Sequence, residues 1–293
     1  MNIKISFGER VFRLLNTVFM VFMIAVTLYP FYYVLMGSLS DGIQLVGYRG
    51  PLFKPLGTTL NAYRSVFKNP NILTGYRNTV IIVLVGTTLN VIMTSMSAFL
   101  LTRKSFAIKN FLAYMMIFTM YFSGGLIPTY LVVFNVLGLG DSLGALILPT
   151  LISVYNVIIM RSNFAAIPQG LEESARIDGA NEFVIFSRII MPLSMPIIAV
   201  MILFYGVNHW NSWFNAMIYL RTREKYPLQL VLREILLSGT ADQMAGSSGA
   251  DQYALGESVK YATIIVATVP ILAIYPFIQK YFVKGIMVGA IKG

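Results

Sequence analysis

The sequence predicts an all-α membrane protein of six transmembrane helices with both termini in the cytoplasm, and three observations predict it. Hydrophobic residues make up 57% of the 293 residues and charged residues 12%, roughly half the ~25% charge of a soluble domain. Six windows lack Asp, Glu, Lys and Arg, at 14–40, 78–102, 110–140, 142–160, 189–220 and 261–279. Each reaches the ~18–20 residues with which a helix crosses a hydrocarbon core. The apolar runs are continuous rather than alternating, which excludes a β-barrel.

The first span, about 14–36, follows Lys4, Arg10 and Arg13. Its apolar run is too long for a secretory signal and lacks a small-residue cleavage site, so it reads as a retained helix with a basic cytoplasmic end. Tyr29, Tyr32 and Tyr33 mark the far interface. Residues 41–75 form an external segment whose amphipathic piece, LNAYRSVFKNPN, suits the membrane surface or ordinary loop packing. The second span, 78–102, ends in Arg103, Lys104 and Lys109, a short basic loop that belongs in the cytoplasm. The third, 110–136, holds Gly124, Gly125 and Pro128, which should break or kink it. The loop that follows carries one charge, Asp141, and no Lys or Arg, so it faces outside. The fourth span, 142–161, is minimal in length and closes with Arg161. The fifth, 189–219, leads to a second external segment, 221–260, that ends rich in Gly and Ser. The sixth, 261–280, runs into a basic tail. The whole chain, 1–293, reads as a single membrane domain.

Composition limits the chemistry. With no cysteine and one histidine, His209, the chain has no disulfide framework and almost nothing with which to bind metal. The net charge of +10 resides in loops, where topology and anionic headgroups account for it, and no basic stripe with interleaved aromatics suggests nucleic acid. The spans contain no ionisable carboxylate or cation of the kind that marks ion and proton relays. No catalytic motif is present, so no catalytic residue is expected.

The most informative stretch is Gly170 to Pro196, GLEESARIDGANEFVIFSRIIMPLSMP. It predicts a short polar helix over about 168–180, held in the cytoplasm between two spans. Glu172 and Glu173 lead, where acids complement the helix dipole, and Glu172 stands four residues before Arg176. Gly179 suits the C-terminal turn and Asn181 the cap of the next helix.

The spans carry neutral polarity. Tyr205, Asn208, Ser212, Asn215 and Tyr219 recur at helical spacing, with Asn211 beside them. Thr87, Asn90, Thr94 and Ser97 do the same on the second span. One reading is a pathway for a neutral, hydrogen-bonding solute, with Trp210 and Trp213 as stacking faces for sugar rings. The other is hydrogen bonding between helices, which Ser, Thr and Asn commonly provide in lipid; it is the preferred reading for the second span. His209 is expected to be a satisfied interfacial histidine.

The Gly170–Pro196 stretch resembles the EAA motif of ABC importer permeases. Glu173, Ser174 and Ala175 precede Gly179 at the motif's spacing, and Ile189, Met191 and Pro192 close it. Ser174 replaces an alanine of the motif and Met191 a leucine. Asp178-Gly179-Ala180 with Pro196, the third-span segment GGLIPTYLVV and the ending YFVKGIMVGAIKG are similar to the oligosaccharide permeases of that family. The resemblance implies a type I importer fold in a bacterial cytoplasmic membrane and a coupling helix seated on an ATPase. Glu172, Glu173, Ser174, Ala175, Arg176, Asp178, Gly179 and Ala180 would form the coupling surface. It further implies a second, homologous permease, two cytoplasmic ATPase subunits that hold ATP-Mg, and an extracellular solute-binding lipoprotein docking near 221–260. Lys284 to Gly293 would also meet the ATPase. An ion-coupled secondary transporter and a non-transporting scaffold are the competing readings; the first lacks intramembrane charge, and the second leaves the coupling helix without a task.

Overall fold

A computed structural model describes residues 6–245, 256–274 and 276, all helix or connection with no strand among them. The chain divides into two compact units, residues 1–69 with 234–268 and residues 70–233 with 269–293. The expected contact of Lys284 to Gly293 and the Gly/Ser-rich part of the external segment from 246 to 255 lie outside the described residues.

The first unit opens with α1, Phe7–Ser38, capped by the Ser6 hydroxyl, which accepts from the Glu9 N–H. Its most apolar window buries nothing within the protein, as a lipid-facing helix should. Two of the three tyrosines expected at its far end, Tyr29 and Tyr32, tie down the segment that follows. Tyr29 accepts from the Leu52 N–H at 3.0 Å, Tyr32 donates to the Phe53 carbonyl at 2.8 Å, and Tyr33 meets Tyr261 edge-on. Within that segment lie α2, Gly42–Val46, and α3, Asn61–Lys68. The amphipathic α3 buries Ala62 and Val66, and its Tyr63 shares a hydrogen bond with Ser38. These contacts are ordinary loop packing, one of the two readings of the segment.

The second unit is organised around α4, Pro70–Thr102, whose helix begins eight residues before the span expected from 78. It packs along α8, Val154–Ala165, and α11, Met195–Trp210. Between and beyond these run α5, Lys109–Tyr121; α6, Leu126–Val136; α7, Gly144–Thr150; α9, Gln169–Ile177; α10, Glu182–Leu193; and α12, Phe214–Tyr219. One core joins Phe99, Met160, Phe164, Ile185 and Met201, and a second joins Ile82, Val133, Leu146, Ala216 and Leu230. The last described helices are α13, Leu228–Ala245, and α14, Gly256–Ile274, and each runs from one unit into the other.

Among the described residues, three helices are unbroken and apolar enough to cross a membrane, α1, α4 and α14. The other three expected spans are each a bent pair. Between α5 and α6 the chain turns by 116°, with Gly125 at a φ of 84° that other residues rarely adopt. The bend is far sharper than a kink, so 110–136 is no single straight span. The fourth span, expected over 142–161, turns by 51° between α7 and α8. Pro149 removes a backbone donor there, and Ser153 restarts the helix by accepting from the Asn156 N–H. The fifth, expected over 189–219, turns by 82° at Ser194 between α10 and α11 and breaks again at Asn211–Trp213. Pro192 and Pro196 flank the first turn, and Pro196 lacks the N–H that would bond back to residue 192 across it.

Candidate functional site

The polar helix α9 spans Gln169–Ile177, within the expected 168–180. Its end is a Schellman turn: the Gly179 N–H donates to Arg176 at 3.1 Å and the Ala180 N–H to Ala175 at 2.8 Å. Gly179 takes a φ of 82°, and a β-carbon there would meet nothing within 4 Å, so the backbone conformation rather than space selects glycine. Asn181 caps α10, accepting from the Val184 N–H at 2.9 Å.

The residues assigned to one coupling surface divide into two sets. Glu172 is buried, and the guanidinium of Arg103 donates to both of its oxygens, at 2.5 and 2.9 Å. Arg103 itself lies over the Phe99 ring at 4.1 Å. Hydrogen bonding by Arg103 holds the Glu172 carboxyl below its usual range, against the opposing effect of burial. Arg176 bridges to Glu182 at 2.8 Å and to Glu172 at 3.5 Å, the expected (i, i+4) pair. Ala175 and Ala180 pack against the core around Phe99. Glu172, Ala175 and Ala180 therefore face the protein, while Glu173, Ser174, Arg176, Asp178 and Gly179 are exposed.

Two residues that the charges concealed stand out on the same surface. Ile177 is 87% exposed and Phe183 is 74% exposed, which leaves two large apolar side chains uncovered on either side of the Gly179 turn. An apolar residue on the polar face of an otherwise amphipathic helix was the available signal.

The neutral polar residues expected to line a pathway also separate. Asn90 and Thr94 are fully buried and Tyr205 nearly so. The Asn90 amide donates to the Thr150 and Leu151 carbonyls, at 2.7 and 2.9 Å, where the fourth span breaks. His209 Nε2 lies 2.6 Å from Asn90 Oδ1 and thus donates to it. The Tyr205 hydroxyl accepts from the Ser153 N–H at 3.2 Å and shares a hydrogen bond with Thr94 at 2.6 Å. Irregular backbone at membrane depth persists when its polar groups are satisfied within the protein. These four side chains satisfy the break, and His209 is the satisfied histidine expected.

Asn208, Asn211, Ser212, Trp213 and Asn215 line a different space, a cavity of about 490 Å³ at the second break of the fifth span. The two tryptophans lie in different surroundings. The guanidinium of Arg233 covers Trp213 at 4.5 Å, and Trp210 lines an apolar groove of about 760 Å³ with Leu84, Thr87 and Gly206.

At the loop expected to face outside, Asp141 clasps the start of the second external segment. Its carboxylate accepts from the backbone N–H groups of Arg221 and Thr222, the Thr222 hydroxyl and the Lys225 ammonium. The Lys225 and Thr222 side chains, then the backbone donors, hold this carboxyl far below the usual carboxylate range. From α4, the Asn78 amide donates to the Glu224 and Tyr226 carbonyls, at 2.7 and 3.1 Å.

Comparison with known proteins follows the same outline. The family described as "Binding-protein-dependent transport system inner membrane component" matches residues 90–288. The chain is 41% identical over 284 residues to Protein LplC of Bacillus subtilis (strain 168), covering 97% of this chain and 96% of that one. It is 40% identical over 287 residues to the polygalacturonan/rhamnogalacturonan transport system permease protein YtcP of the same organism, covering 97% and 99%. Among solved structures it is similar to a chain of a bacterial ABC transporter involved in the import of the acidic polysaccharide alginate. That match has a TM-score of 0.85 and 29% identity, and covers 96% of this chain and 100% of the other.

Proposed function

The chain belongs to the binding-protein-dependent transport system inner membrane components, the permease subunits of ABC importers, and from that membership we propose that it forms half of the pathway of an ATP-driven oligosaccharide importer. A second, homologous permease supplies the other half. Two cytoplasmic ATPase subunits bind and hydrolyse ATP-Mg, and an extracellular solute-binding protein delivers the sugar. The chain is a transport subunit of a bacterial cytoplasmic membrane, with its termini and α9 inside and no cofactor of its own.

The observation that carries this reading is the construction of α9. Ion pairing of Glu172 to Arg103 and core packing of Ala175 and Ala180 fix it along the face turned to the protein, while Ile177, Glu173 and Asp178 stay exposed. A short helix held this rigidly transmits a push as rigid-body motion rather than absorbing it. The bends at 122–125, 151–153 and 194 give the spans places to pivot. An ion-coupled mechanism finds no support in α4 and α11, whose buried polar residues are Asn, Thr, Ser, Tyr and His without a carboxylate. The carbohydrate names of the relative YtcP and of the alginate transporter support a sugar chain as the cargo.

The test is Gly179→Val in the assembled transporter. Strain at the αL position costs about 1–2 kcal/mol, so assembly should survive while sugar uptake and sugar-stimulated ATP hydrolysis fall together. Unchanged transport with normal assembly contradicts the coupling role.

A further inference from the structure

We propose that the cavity of about 350 Å³ at the break between α7 and α8 receives one sugar ring of the permeating oligosaccharide, held by the amides of Asn156 and Asn208. The proposal rests on the sugar-import reading and extends it to a residue outside the polar stripes of the second and fifth spans.

Asn156 is 5% exposed, yet its side-chain amide has no hydrogen-bond partner among the described residues, and it lines the cavity. The amide atoms are not among the fully enclosed, unpartnered side-chain atoms of the described residues, so the amide opens onto the cavity, where a ligand rather than the chain can pair it. Asn208 apart, the other polar side chains around the cavity each have a partner within the chain. The Thr150 hydroxyl donates back to Leu146 and Ile147, and the Ser153 hydroxyl accepts from the Asn156 N–H. Tyr205 bonds Thr94 and Ser153, and His209 bonds Asn90. The amides of Asn156, on the fourth span, and Asn208, on the fifth, remain for a ligand.

The chemistry of those amides selects the ligand class. Each carboxamide offers two donors and an acceptor, which suits hydroxyl groups that both give and receive a proton. No Asp, Glu, Lys or Arg lines the cavity, so recognition does not depend on charge. Phe204 supplies an apolar wall for a ring face. The volume lies at the lower end of the ~300–1,000 Å³ of small-molecule sites. Phe204 and Asn208 also line the 490 Å³ cavity, so the two spaces share a wall and offer one polar course past α11.

The experiment uses the complete transporter in liposomes, supplied in turn with trigalacturonate, arabinotriose and maltotriose. For whichever of these the wild type imports, Asn156→Leu should raise the half-saturating concentration about tenfold, the effect of losing one well-made hydrogen bond. Asn156→Gln should recover part of that loss. The chain contains no cysteine, so Asn156→Cys introduces its only thiol, and its alkylation should slow several-fold when the imported sugar is present. Wild-type half-saturation in Asn156→Leu, or alkylation indifferent to the sugar, overturns the proposal and leaves sugar import standing. If Asn156→Leu does not assemble, the alkylation result decides alone. A wild type that imports none of the three overturns the sugar reading, and this site falls with it.

Discussion

The guanidinium of Arg103, just past the end of α4, grips the carboxylate of Glu172 in the first turn of α9 through two hydrogen bonds. The two side chains are 10% exposed, so this is a buried pair rather than a surface one. Removing one partner of such a pair leaves a buried charge and costs about 3–5 kcal/mol, whereas replacing both by apolar groups is often neutral. Arg103→Ala and Glu172→Ala are each expected to lower the thermal midpoint of the purified chain sharply. Arg103→Met combined with Glu172→Leu should recover most of it. A double variant as unstable as the sum of the single ones would contradict the anchoring role.

Ile177 and Phe183 predict the opposite behaviour. Both are exposed, so Ile177→Ser or Phe183→Ser removes little burial from this chain and should leave its stability within about 0.5 kcal/mol. If these side chains seat in an ATPase cleft, each should weaken ATPase co-purification and sugar-stimulated hydrolysis. Loss of stability without loss of coupling would show that they pack within the chain instead.

Asn90 and His209 act as one unit on the break of the fourth span. Asn90→Leu strands the carbonyls of Thr150 and Leu151, at about 1–3 kcal/mol for each group left unsatisfied. His209→Leu strands the Asn90 oxygen alone and should cost less. The double variant should be less damaging than the sum, with a coupling energy of about 0.5–3 kcal/mol measured by denaturation in detergent. Additive losses would separate the two residues.

The Asp141 clasp and the Arg103–Glu172 pair share a pH signature. The carboxyls of Asp141 and Glu172 have folded-state values below their ordinary ones, so their stabilisation is fully present above the unfolded value near ~4. It is lost as pH falls through the folded value. The thermal midpoint should therefore hold from about pH 8 to about pH 5 and drop below about pH 4. Asp141→Asn combined with Glu172→Gln should flatten that acid limb. A drop beginning near pH 6.5 would implicate a histidine instead.

The apolar windows, the break at Gly124–Pro128, the turn at Gly179 and the cap at Asn181 were legible because each depends on residues close in sequence. Glu172 and Glu173 were not separable that way: successive residues on a helix point about 100° apart, and the partner that chooses between them lies 69 positions away. Likewise, an asparagine in a span looks the same whether it bonds a carbonyl or a solute. Asn90 bonds the Thr150 carbonyl, 60 residues on, while Asn156, outside both polar stripes, lines a cavity. The break after Pro149 had one local sign, which the unbroken apolar window masked.

The central claim is that α9 is seated on a cytoplasmic ATPase. Because the chain has no cysteine, Ile177→Cys can be cross-linked by a short thiol-to-amine reagent in membranes that express the whole transporter. The account predicts a covalent adduct with the ATPase subunit that fades when Gly179 is replaced by valine. No adduct, with the same thiol fully reactive to a soluble reagent in the assembled transporter, would contradict it.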